Sequence, residues 1–180
     1  MIPKSSSYRV ALTLADMDRH YYQTHALTMV RALTETEEHL MVRLLAFALH
    51  AHERLTFGRG ARAPEDADLW QTDLAGEIDT WIEVGLPDER QILRARARAR
   101  QVVIYSYGGA SADAWWERIG NILACMDRVT VVKFTPATTA ALVTHLKRSM
   151  RWHCTIEDGH VWLSTDQAMV SIERNFLVGA

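Results

Sequence analysis

Two hydrophobic periods run along this chain. Tyr8-Arg-Val-Ala-Leu-Thr-Leu-Ala15 alternates in part and predicts a strand, Asp16-Met-Asp-Arg19 predicts a turn, and Thr24–Arg31 is the matching hairpin partner. Thr34-Glu-Thr-Glu37 then has the form of a capping box. The helix that follows runs to about Ala51, with Leu40, Met41, Leu44, Leu45 and Ala48 as its apolar stripe. Leu55–Phe57 is a short strand, and Gly58–Asp73, with two glycines, a proline and four acids, is a loop. Ile78–Val84 predicts a strand, Asp88–Arg100 a helix entered after Pro87, and Val102–Tyr107 a strand apolar on both faces. Further along come a helix capped by Ser111, a strand over Arg128–Phe134 and a helix over Thr138–Met150. Two strands near His153–Glu157 and His160–Leu163 meet at Asp158-Gly159. The order, β-β-α-β-β-α-β-α-β-α-β-β, predicts an α/β fold, a mixed sheet flanked by helices, in one domain over residues 1–180.

Composition narrows the setting without naming a chemistry. The chain is 48% hydrophobic and 23% charged, ordinary for a soluble globular protein. Its apolar runs are too short to span a bilayer, and its first residues lack the apolar core of a signal peptide. Cys125 and Cys154 have no metal or redox spacing and read as ordinary thiols, so a reducing cytoplasm is expected. The net charge of −2 gives no global field toward nucleic acid, and any polyanion must find a local patch.

Three groups of residues could carry chemistry. On the Ile78–Val84 strand, period two puts Asp79, Trp81 and Glu83 on one face. Residues four apart on a strand are separated by roughly 13 Å. One metal ion does not bridge that span, so Asp68, in the acidic loop, is the alternative partner for Glu83. The plainer reading is a half-exposed strand with a solvated acidic face. On the first helix, Glu38 and Arg43 lie at opposite edges of the apolar arc, while Glu35 and Glu37 suit the helix dipole. Finally, Arg90, Arg94 and Arg98 recur every four residues along one helix face. They form either a phosphate-facing guanidinium row or a solvated charged face. His50 and His52 fall on different helix faces and do not chelate. There is no Gly-rich phosphate loop, Ser-His-Asp pattern or zinc spacing.

Several segments together are distinctive: Leu14-Ala-Asp-Met-Asp-Arg19, Thr34-Glu-Thr-Glu-Glu38 with Arg43-Leu-Leu-Ala46, Glu53-Arg-Leu-Thr-Phe57, Trp81-Ile-Glu-Val-Gly-Leu-Pro-Asp-Glu-Arg90, Tyr107, Trp115-Trp116, and Thr155-Ile-Glu-Asp-Gly159 with Trp162-Leu-Ser164. Over nearly its whole length the chain resembles the bacterial YaeQ family. The resemblance implies a restriction-endonuclease-like PD-(D/E)XK core, with an added N-terminal hairpin and C-terminal strands. It also implies a metal-dependent phosphodiesterase acting on DNA or RNA. Carried over by that pattern, Glu38, Asp79 or Asp68, and Glu83 hold Mg²⁺ or Mn²⁺, and Arg43, Arg90, Arg94 and Arg98 face nucleic acid. The pattern's lysine, two residues after the central acid, is replaced by Gly85, and Arg94 is the candidate substitute. Arginine orients phosphate but hardly deprotonates. A non-cutting nucleic-acid-binding or regulatory module in transcription or repair is therefore the alternative. A third is an interaction scaffold anchored by Trp70, Trp115 and Trp116. No membrane partner is implied, and the oligomeric state, a monomer included, stays open.

Overall fold

The computed structural model describes residues 5–59 and 65–179. They form two compact units. One takes the chain up to Met41 with Ala137–Glu173, and the other takes Val42–Pro136 with the segment from Arg174 on.

The first unit is built on a long hairpin. β1 (Ser6–Asp16) and β2 (Tyr21–Arg31) pair antiparallel, from Ser6 opposite Arg31 to Asp16 opposite Tyr21. β8 (Ser149–Glu157) adds to β1 in parallel, β9 (His160–Ser164) pairs antiparallel with β8, and β10 (Met169–Ile172) pairs antiparallel with β9. The sheet order is β10-β9-β8-β1-β2. Tyr8, Val10, Leu12 and Leu14 alternate inward with Met150, Trp152, Cys154 and Ile156, so this sheet has one dry and one open face. Buried Asp16 accepts from Arg19 through both the backbone N–H and, at 2.6 Å, the guanidinium Nε. Asp18 accepts from the backbone N–H groups of Asp158 and Gly159, at 2.8 and 2.9 Å. Two of the family-like segments are thus turn locks.

In the second unit the sheet order is β11-β7-β6-β5-β4-β3. β3 (Leu55–Phe57), β4 (Leu69–Thr72) and β5 (Ile78–Val84) form an antiparallel meander. β6 (Ala99–Ser106) and β7 (Val129–Lys133) follow in parallel, and β11 (Asn175–Val178) closes the edge antiparallel. α2 (Glu89–Arg98) and α3 (Ala110–Ala124) supply Ile92, Ala95, Trp115, Ile119 and Leu123 to a core with Trp81, Val102, Ile104, Val129 and Val131. The opposite face receives α1 (Glu37–His50): Phe47 stacks on Phe57, and the His50 imidazole lies 2.7 Å from the Tyr105 hydroxyl. Among the described residues no helix is long and apolar enough to cross a membrane.

The structure departs from the sequence reading at identifiable places. There are two mixed sheets, not one. The expected loop over Gly58–Asp73 contains β4, whose four residues are too few to show a period, while Pro64 lies outside the described residues. α1 begins at Glu37, so its cap is Thr36 and not Thr34, and the Thr36 hydroxyl accepts from His39 N at 3.0 Å. The helix near Ser111 starts after Gly109 with no side-chain cap. α4 (Pro136–Val143) stops well short of Met150. Ser149 and Met150 instead join β8, where pairing with Arg9 and Val10 and burial of Met150 outweigh helix propensity. β10 and β11 were not foreseen.

The turn between β4 and β5 is organised by Asp73. One carboxylate oxygen accepts from the N–H groups of Ala75 (2.8 Å) and Glu77 (3.0 Å), and the other meets Arg100 at 2.7 Å. The Glu77 and Ala75 amides, with Arg100 beside them, hold this carboxyl below its ordinary 3.8. A carboxyl whose folded value is depressed stabilises the fold above its unfolded value and loses that contribution as pH falls through the folded one. We expect Asp73→Ala to flatten the acid limb of stability below about pH 4, measured by urea unfolding across a pH series. Identical acid limbs in variant and parent would refute this role.

Candidate functional site

Trp81, Glu83 and Asp68 form the centre of the candidate site. The β4–β5 register pairs Leu69 with Ile82 and Trp70 with Trp81. Continued by one step, it sets Asp68 opposite Glu83. In an antiparallel pair, opposite residues share a face, so the two carboxylates project on the side of Trp81. A backbone contact fixes the arrangement: Asp68 Oδ2 accepts from Val84 N at 2.7 Å. Glu83 is fixed from the side chain, as its Oε1 accepts from the indole Nε1 of Trp81 at 2.7 Å. Trp81 itself is 1% exposed, and its ring is covered by the Arg98 guanidinium 4.9 Å from the ring centroid.

Asp79 is drawn elsewhere. The pairing of β4 with β5 shifts between Gln71 and Thr72, and Asp79 falls in the irregularity. Its carboxylate lies 3.6 Å from Arg100, which also meets Asp73 and Glu77, and it accepts from the Thr80 hydroxyl at 3.3 Å. So Asp68, the alternative offered by the sequence, is the acid placed beside Glu83. Glu38 belongs to the first unit, where the Thr139 hydroxyl donates to it at 2.6 Å. Among the described residues no three His, Cys, Asp or Glu side chains gather closely enough to hold a metal ion by themselves.

The arginines divide. Arg90 and Arg94 are exposed on α2 and make no ion pair among the described residues. Arg98 is exposed as well, but it is engaged, stacking on Trp81 and donating to the Glu65 carbonyl at 3.3 Å. Arg43 corrects the sequence reading. It is 3% exposed with its guanidinium 5.6 Å from the Phe57 ring centroid, so it packs in the interior instead of facing a ligand. The sequence reading missed the Trp81–Glu83 bond. Its trace was there, since residues i and i+2 on a strand share a face and a buried indole needs an acceptor.

Gly85 follows directly. Its φ is +113° and its N–H donates to Tyr105 O at 2.9 Å, so the chain still touches β6 while leaving strand geometry. Nothing lies within 4 Å of where a Cβ would stand. A lysine here would have space but would strain the backbone at this positive φ. α2 begins soon after, with Asp88 accepting from Gln91 N and the Gln91 amide accepting from Asp88 N, both at 2.8 Å.

Comparison with known proteins places the chain in a family. The model of the YaeQ protein family matches residues 1–174. "Uncharacterized protein YaeQ" of Salmonella typhi is 35% identical over 173 residues, 96% of each chain. Its counterpart in Escherichia coli (strain K12) is 35% identical over 167 residues, 93% of this chain and 92% of that one. Two solved structures share the mixed α/β architecture. The YaeQ protein from Xanthomonas axonopodis pv. citri has a TM-score of 0.93 and 37% identity, covering 98% of this chain and 100% of that one. The YaeQ protein from Pseudomonas syringae has a TM-score of 0.92 and 28% identity, covering 98% and 97%.

The conformation at Gly85 can be measured. Gly85→Ala is expected to lose about 1–2 kcal/mol of stability, the cost of holding a side-chain-bearing residue at positive φ, read by urea unfolding. Unchanged stability would show that residue 85 relaxes into the β region, and that a lysine could stand there.

Proposed function

We propose that this chain, which belongs to the YaeQ family, is a metal-dependent phosphodiesterase of the PD-(D/E)XK type, acting on nucleic acid in the cytoplasm through Asp68 and Glu83. The observation that carries the reading is that two carboxylates at the open end of the β4–β5 hairpin are each oriented by a hydrogen bond of 2.7 Å, Glu83 by the Trp81 indole and Asp68 by the Val84 amide. Two hard oxygen donors of this kind suit Mg²⁺, which is commonly held by one or two carboxylates together with water and substrate phosphate. Mn²⁺ takes the same ligands. The ion, when bound, neutralises charge on the phosphate and makes its water a better nucleophile.

The chain's own residues do the positioning. Trp81 holds Glu83 in one rotamer, and the Val84 amide holds Asp68, so neither carboxylate must be ordered when substrate arrives. Arg90 and Arg94, exposed on α2, offer guanidinium groups to phosphate oxygens. Neither acts as a base, since guanidinium stays protonated. Deprotonation of the attacking water therefore falls to a carboxylate.

One observation favours a second reading. The lysine that this class of site uses is replaced by Gly85, at φ +113° where a side chain is strained, and a domain that binds nucleic acid without cutting it would have no need of one.

A pair of substitutions at Glu83 separates chemistry from architecture. Glu83→Gln keeps an oxygen acceptor for the Trp81 indole and is expected to retain near-parental stability, with Mg²⁺- or Mn²⁺-dependent cleavage reduced at least a hundredfold. Glu83→Ala also strands a buried N–H and is expected to lose a further 1–3 kcal/mol of stability. Asp68→Asn should match Glu83→Gln in activity. Cleavage of labelled single-stranded, branched and duplex substrates that persists in Glu83→Gln would place the chemistry elsewhere. Salt-sensitive binding without turnover in the parent would support the second reading.

A further inference from the structure

We infer that the open face of the first unit's sheet is a binding platform for single-stranded nucleic acid, recognised by phosphate clamping at one end and base stacking at the other. The face is read from the register. Arg9 on β1 stands opposite Thr28 on β2 and Ser149 on β8, and Ala11 stands opposite Ala26 and Arg151. These six residues share one side of the sheet, and all six are exposed. They floor a cavity of about 560 Å³. Its walls come from His145 and Lys147, before β8, and from Thr165, Asp166 and Gln167, between β9 and β10.

Charge selects the occupant. Arg9, Lys147 and Arg151 make no ion pair among the described residues, and Asp166 is the acid among those lining the cavity. On a chain whose net charge is −2, this is a concentration of unneutralised cations. The floor between them is alanine, serine and threonine, so it is shallow and admits a polyanion backbone without steric conflict. Guanidinium pairs of this kind hold phosphate oxygens.

Further along the same face aromatic rings take over, with the exposed Glu157 carboxylate opposite His160 at the far end. Trp162 stands opposite Thr155, four residues along β8 from Arg151 and so roughly 13 Å away. Its ring is half-exposed, with the His160 ring 5.7 Å from it by centroid. Tyr22, opposite Ala15, is 61% exposed at the same end. Exposed His153 lies between the two ends, opposite Thr13. Phosphate-binding cations with aromatic rings farther along an open sheet suit unpaired bases, which offer a π-face that a duplex keeps stacked inside.

The platform stands independently of the Asp68–Glu83 reading, and its test omits metal so that binding is scored without cleavage. Fluorescence anisotropy of the full chain with short labelled oligothymidylate and oligouridylate should show saturable, salt-sensitive binding. A matching duplex should bind more weakly. Arg9→Ala/Arg151→Ala should weaken single-strand binding at least tenfold and lower the slope of log affinity against log salt by about 1.4, two phosphate contacts at about 0.7 each. Trp162→Ala should weaken it about fivefold or more, and oligonucleotide should quench tryptophan fluorescence in the parent but much less in this variant. Unaltered circular dichroism and melting would confirm that all variants fold. Full-strength binding in both variants, equal preference for duplex, or loss of self-association in Arg9→Ala/Arg151→Ala without any oligonucleotide binding would overturn the proposal; the last outcome would reassign the face to a second copy of the chain.

Discussion

A buried indole N–H has to find an acceptor, and much of the second unit follows from where Trp81 finds one. The ring, carried by β5, belongs to the core cluster that this strand shares with β6, α2 and α3. Truncating a side chain of that size to alanine costs about 3–5 kcal/mol. Its N–H would add roughly 1–3 kcal/mol of penalty if left unmet. Glu83, two residues on and on the same face, meets it at 2.7 Å. The carboxylate is thereby held at the edge of an apolar core, where an acid would otherwise be expensive. Arg98 covers the outer face of the same ring, so a cation, an aromatic ring and an anion are stacked into one connected unit. The bond also gives Glu83 an architectural duty, whatever its chemistry.

The second carboxylate arrives through register. A strand places every second residue on a face but spreads like residues apart, which is why Asp79 and Glu83 are an awkward pair. The adjacent strand solves the distance. β4 runs antiparallel to β5, its register extended by one step sets Asp68 opposite Glu83, and the Asp68 side chain takes the Val84 N–H just beyond the last registered pair of the two strands. The irregularity near Thr72 turns Asp79 toward Arg100, while Asp73 ties the turn. One hairpin therefore sorts four acids. Asp73 and Asp79 neutralise Arg100 at its closed end, and Asp68 joins Glu83 at its open end.

Legibility in the sequence tracked length and locality. β1, β2, β5, β6 and α2 were readable because each repeats its period over several residues or carries a turn or cap signal of its own. β4, β10 and β11 have four residues each, and no period shows in so few. The segment after Val143 was misread because helix-compatible residues were claimed by β1, a partner far away in sequence. The same division holds at the site. Glu83 was legible as an acid on an apolar strand, and Asp68 as one of two partners. The Arg98–Trp81–Glu83 stack depends on a helix returning over a strand, which local sequence does not announce. Arg43 looked displayed at the edge of a helical arc, but the helix is buried almost all round, as the run from Leu40 to Leu49 shows. An arc drawn on an isolated helix does not register Phe57, which β3 brings against Arg43.

The segments that signal the family do two kinds of work. Asp16 and Asp18 near the first turn, and Asp158-Gly159 at the other hairpin, are joined by hydrogen bonds that lock turns and need no ligand to explain them. The stretch from Trp81 to Arg90 is different. Trp81 and Glu83 share one bond, Gly85 bends the chain away from the strand, and Asp88 caps the arginine-bearing helix. A side chain at residue 85 would have to take up a positive φ, so the fold has committed this position to a turn. Any phosphodiester chemistry here must then run without the usual strand lysine. Its two tasks, deprotonating water and neutralising the phosphate, fall to different groups. The first would fall to the carboxylates, and the second to guanidinium groups that never give up a proton.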